Sequence, residues 1–151
     1  LITDANAASR VFNQPPHPDA KPVAEWLFKK EGCVVYGGLL AQELGRVGAA
    51  ARALKALQRA GRAILIPDKQ VQNELAQIRQ HCQSDDCHVI ALARASGARV
   101  LYSYDEDLHT DFKNRRLINS PRGKIYTHLT TRASSDNVQL RLEKVPPTTC
   151  W

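Results

Sequence analysis

Short apolar runs alternate with longer stretches of helical periodicity along this chain, and that alternation limits the fold more than any other feature. Leu1-Ile2-Thr3, Cys33-Val34-Val35-Tyr36, Ala63-Ile64-Leu65-Ile66, Arg99 to Tyr104 and Lys124-Ile125-Tyr126-Thr127 read as strands. The segments between them repeat apolar residues at three- and four-residue spacing, as helices do. Strand and helix in alternation predict a largely parallel sheet covered by helices on both faces. At 151 residues the chain is long enough to bury one substantial core.

Two of these strands close on acids, at Asp4 and Asp105. In open α/β sheets the carboxyl ends of the strands are where ligands bind. Asp4 or Asn6 also suits the cap of a helix over Ala7–Phe12, and the two roles are compatible. Two further acids accompany helices. Glu43 follows Leu39 and Leu40 by four and three residues, which places a carboxylate beside an apolar face. Pairing with Arg46 at the edge of that stripe explains it equally well. Ser84-Asp85-Asp86 opens the apolar segment Cys87 to Ser96, with Ser84 as expected N-cap and both acids suited to the helix dipole. Asp86 shares a stripe with Ile90 and Ala93, so it is expected to face the sheet, whereas the cap-region explanation suffices for Asp85.

Asp4, Glu43, Asp86 and Asp105 can therefore converge at one crevice. Four carboxylates so close repel unless a cation neutralises them. Oxygen ligands favour hard ions, here Mg2+ or Mn2+. Such ions activate water and stabilise a leaving oxygen, which suits phosphodiester hydrolysis. The formal charge of +6 makes nucleic acid a fitting partner. Arg10, the stripe Arg52, Lys55 and Arg59, and the patch Lys113, Arg115 and Arg116 are the candidate nucleic-acid-binding cations. For the stripe, a solvated helix face is the competing explanation.

Four cysteines are scattered through a chain too large to need staples, so reduced thiols and a reducing, cytoplasmic location are expected. His81-Cys82 and Cys87-His88 match no common zinc spacing, and Cys82 sits on an inward stripe. No apolar run approaches the roughly 20 residues of a membrane span, and the N-terminus lacks the basic-then-apolar pattern of a secretory signal. A phosphoacceptor receiver domain is a poor rival. It needs Lys after its last strand, and Lys124 stands at the start of one.

Asp4-x-Asn6, Gly37-Gly38-Leu39 through Glu43-Leu44, Asp86-Cys87-His88-Val89-Ile90-Ala91-Leu92-Ala93, and Val100 through Asp105-Glu106-Asp107-Leu108 together resemble the four acid-bearing segments of PIN domains, in order. The resemblance spans about residues 1 to 127. It implies a three-layer α/β/α sandwich with a mainly parallel five-stranded sheet in the order 3-2-1-4-5, and Mg2+- or Mn2+-dependent ribonuclease activity. The metal-binding acids would be Asp4, Glu43, Asp86 and Asp105, with Asp107 matching an acid found in part of the family and Asn6 and Ser103 supporting them. Many relatives, similar to VapC, are toxins that pair with an antitoxin protein and form homodimers. A PIN-like module that binds RNA or protein without cleaving is the alternative. The nuclease domain is expected over 1–131. A strand or hairpin extension follows over 132–145, with Val138 to Val145 able to pair back on 124–131, and a flexible tail covers 146–151.

Overall fold

A computed structural model describes residues 1–29, 32–119 and 121–127. Strands β1 (Ile2–Thr3), β2 (Val34–Gly37), β3 (Ala63–Ile66), β4 (Val100–Tyr102) and β5 (Lys124–Tyr126) alternate with seven described helices. These are α1 (Ala5–Phe12), α2 (Lys21–Lys29), α3 (Gly38–Arg46), α4 (Gly48–Arg59), α5 (Asp68–Ile78), α6 (Cys87–Ser96) and α7 (Glu106–Lys113). Every described strand pair is parallel: β1 with β4, β4 with β5, and β2 with β3. The two ladders meet where Val35 N–H donates to the Leu1 carbonyl at 2.8 Å, which sets β2 beside β1. Across that seam the order is 3-2-1-4-5, in a three-layer α/β/α arrangement. The hairpin partner at 132–145 and the tail at 146–151 lie outside the described residues.

Burial follows position in the sheet. Every residue of β1, β2 and β4 is buried, whereas Leu65 of β3 is 54% exposed. The sequence predicts Ala63–Ile66 as a buried strand; it is an edge strand whose outer flank faces water. Helix α6 is buried on every side from Cys87 to Ala93, so it carries no polar face. Its position in the interior explains how Asp86, at its start, comes to lie close to the strand ends.

Two helix boundaries differ from expectation. The helical segment between β2 and β3 is broken at Val47, which is extended (φ −89°, ψ 101°) and separates α3 from α4. Gly45 and Gly48 flank it, and glycine is a weak helix former. Ser84 is not the N-cap of α6. Asp86 occupies that position, and the Ser84 hydroxyl oxygen instead accepts the Asp86 N–H at 3.0 Å within a tight turn.

The cysteine expectation is corrected as well. Cys82 and Cys87 form a disulfide with Cα atoms 5.9 Å apart, and no described cysteine is a free thiol. Cys82 is thus a bonded partner rather than a small hydrophobe. The two sulfurs that a zinc site would use are spent on each other, and the cysteines lend no support to a reducing location. The bond closes a short loop that carries Asp85 and Asp86. Loop-closure entropy for so short a loop gives about 2 kcal/mol. The double variant Cys82→Ser/Cys87→Ser, which removes this bond alone, is therefore expected to melt about 4–8 °C below the wild type. An unchanged melting temperature in that variant would contradict it.

Candidate metal centre

The centre begins at the carboxyl end of β1. Asp4 N–H donates to the Tyr102 carbonyl at 3.0 Å, extending the β1–β4 ladder by one residue before the chain turns into α1. Asp4 holds the N-cap position of α1, yet its side chain makes no capping bond. It is instead buried, only 3% exposed, with Oδ2 accepting the Ser103 hydroxyl proton at 3.0 Å. Ser103 lies just past β4 and is fully buried. Its Oγ also accepts the Asp105 N–H at 3.0 Å, so one hydroxyl ties the ends of two neighbouring strands together.

Asp105 caps α7, its Oδ1 accepting the Leu108 N–H at 2.8 Å. Asp86 holds the N-cap position of α6 without making the equivalent side-chain bond. The loop before it is fixed by Asp111 of α7, a fully buried acid. Asp111 Oδ1 and Oδ2 accept from Gln83 N–H at 3.0 and 2.9 Å, and Oδ2 also accepts from Ser84 N–H at 2.9 Å. The backbone is thereby held while the Asp86 carboxylate stays 27% exposed.

Glu43 comes from α3, and it pairs with His88 rather than Arg46. His88 Nε2 and Glu43 Oε2 are 3.1 Å apart, and His88 Nδ1 lies 4.0 Å from Asp86 Oδ1. One ligand atom from each of Glu43, Asp86 and His88 lies within 4.8 Å of the others. An imidazole of α6 thus stands beside two carboxylates, one from α3 and one from the N-cap of α6.

Electrostatics links this trio to Asp4 and Asp105. Burial pushes the Asp4 carboxyl above the ordinary carboxylate range, against the Ser103 and backbone Asn6 and Ala5 hydrogen bonds, and the charge of Asp105 adds to the rise. Burial also raises Asp86. The charges of Asp4, Glu43 and Asp105 push the same way, with His88 opposing them. The four acids marked by the sequence are therefore close enough to feel one another. A set of mutually repelling carboxylates, one buried and three half-buried, joined by an imidazole, has the donor chemistry of a divalent-cation site.

The remaining candidates are dispersed. Asp107 is exposed in the first turn of α7. Asn6 acts on Asp4 through its backbone N–H, its side chain being exposed. Arg10 lies 4.9 Å above the ring of Tyr104, the residue between Ser103 and Asp105, and 3.9 Å from Asp19. Arg52 lines a cleft of about 630 Å3 with Phe12, Phe28 and Ala53, away from the acids. Lys55, Arg59, Lys113, Arg115 and Arg116 are exposed on α4, at the end of α7 and just beyond it. Sequence reasoning missed His88 and Asp111 as parts of this centre. The available signal was chemical: a polar side chain inside an otherwise apolar buried element requires a partner.

A family model described as PIN domain matches residues 1–113, a span that contains every acid of the centre. No curated protein and no solved structure matches the chain.

Proposed function

We propose, from the premise that this chain belongs to the PIN domain family, that it is a divalent-metal-dependent endoribonuclease hydrolysing RNA phosphodiester bonds. PIN domains are generally metal-dependent nucleases. The observation that supports the reading in this chain is the cluster of Glu43, Asp86 and His88, with ligand atoms within 4.8 Å of one another and Asp86 subject to the charges of Asp4, Glu43 and Asp105. These four acids would hold Mg2+ or Mn2+, with Asp107 at the rim. A bound cation of this kind lowers the pKa of water and stabilises charge on phosphate oxygens.

The chain's own residues do the rest. Ser103 donates to Asp4, which fixes that carboxylate in place and offsets part of the effect of burial on its charge. Glu43, anchored by His88 through Oε2, positions the attacking water and accepts its proton at Oε1. Arg10 and the exposed cations Arg52, Lys55, Arg59, Lys113, Arg115 and Arg116 hold the RNA backbone, in keeping with the net charge of +6. RNA is the substrate. An antitoxin protein and a second copy of the chain are the protein partners proposed with it, the role being that of a toxin acting in the cytoplasm. Among the described residues no helix is long and apolar enough to cross a membrane.

Cleavage of mixed single-stranded and looped RNAs with and without Mn2+ tests the reading. Asp105→Asn refines it, because Asn caps helices as well as Asp does. The variant is expected to melt within about 1 °C of the wild type and to lose about a hundred-fold in Mn2+-dependent cleavage. RNA cleavage that survives full chelation, or full activity in the variant, would overturn the assignment.

A further inference from the structure

We infer that His88 makes this centre a mixed nitrogen–oxygen site, in which its imidazole joins Glu43 and Asp86 as a direct ligand and selects Mn2+ over Mg2+. The inference rests on the metal-site reading above and names which ion that site takes. Both ring nitrogens of His88 face carboxylates of the centre, Nε2 at 3.1 Å from Glu43 and Nδ1 at 4.0 Å from Asp86. His109 differs in this respect, with Nε2 at 2.9 Å from the Ser103 backbone carbonyl.

Position argues the same way. His88 is 7% exposed on a helix whose neighbouring residues are apolar and buried from Cys87 to Ala93. A polar ring there is costly unless it is partnered, and an apolar residue would have packed at that point without cost. The partners it does have are the two acids whose ligand atoms lie, with its own, within 4.8 Å of one another. Magnesium takes oxygen ligands and dehydrates reluctantly. Imidazole suits first-row transition ions; Mn2+, the first of that series, shares the oxygen ligands of Mg2+ yet gains more than Mg2+ does from an added nitrogen donor.

The test uses the full chain without a histidine tag and the metals alone, with no RNA. Titration calorimetry is expected to give an affinity for Mn2+ at least about ten-fold above that for Mg2+. Pulsed electron paramagnetic resonance of the Mn2+ complex should show 14N coupling from a bound imidazole. In His88→Gln the coupling should vanish and the Mn2+/Mg2+ ratio collapse toward one. Mn2+ bound without 14N coupling in the wild type overturns the inference and leaves the nuclease reading standing. The same holds for a ratio unchanged in the variant. Absence of any divalent-ion binding overturns both. The wild-type spectrum decides the matter even if the variant fails to fold.

Discussion

Replacing Asp4 by Asn is expected to lower Mn2+-dependent RNA cleavage by about a thousand-fold or more while leaving the metal-free protein at least as stable as the wild type. The two effects share one cause. Asp4 is nearly inaccessible, and its carboxyl is pushed upward by burial and by the charge of Asp105. The charged form is therefore disfavoured in the folded chain and needs a cation beside it. Asparagine keeps an oxygen that can accept the Ser103 proton, so the link between the ends of β1 and β4 survives. What disappears is the charge a metal would need.

The pH dependence follows with a definite sign. A carboxyl whose folded value lies above its unfolded value of about 3.9 contributes stability below that value. The contribution is lost as pH rises through the folded value. Asp4 and Asp86 are both raised, so the metal-free wild type is expected to lose stability upward from about pH 4 more steeply than Asp4→Asn does. Mn2+ should flatten the wild-type slope by mass action and leave the variant nearly unchanged. Melting curves across that range, with chelator and with Mn2+, check the stability half. Wild-type cleavage by Asp4→Asn would defeat the functional half.

Why Asp4 and Asp105 are legible in the sequence, and His88 is not, comes down to how local each signal is. An acid directly after an apolar strand marks a strand end, and strand ends in a parallel sheet lie along one edge. Asp86 was separable from Asp85 by helical spacing alone, and in the structure Asp85 is exposed while Asp86 is half-buried. Glu43 was ambiguous because its stripe, read from Leu39 and Leu40, is only half inward: Leu40 is fully buried and Leu39 is 44% exposed. Its partner His88 stands 45 residues away, beyond any local pattern. The cysteine pair misled for another reason. Chain size argued against structural disulfides, but a bond across five residues shapes one loop rather than the whole domain.

Asp111 is the residue least visible in the sequence, and Asp111→Ala is expected to have the largest effect on stability. Its carboxylate accepts the N–H groups of Gln83 and Ser84, 28 and 27 residues away, and is fully buried while doing so. Truncation would leave those two donors unpaired at the root of the loop that carries Asp86, besides opening a small cavity. Losing charge-assisted bonds at buried donors costs about 3 kcal/mol, which lowers the melting temperature by about 6–12 °C. Asp111→Asn should fall between the two, because one amide oxygen still accepts while its NH2 group faces the other donor.

The loss should also reach the metal centre. With its anchor gone the loop is held by the Cys82–Cys87 bond and the Ser84–Asp86 turn, so Asp86 stays near its place with a wider range of positions. Affinity for Mn2+ is then expected to fall about ten- to a hundred-fold, and saturating Mn2+ should recover much of the cleavage. That recovery separates a positioning residue from a ligand, for which added metal restores little. Scanning calorimetry and Mn2+ titration of the same samples measure both quantities. A variant that melts with the wild type would show that the three hydrogen bonds do not hold the loop. One that stays inactive at saturating Mn2+ would place Asp111 within the reacting centre itself.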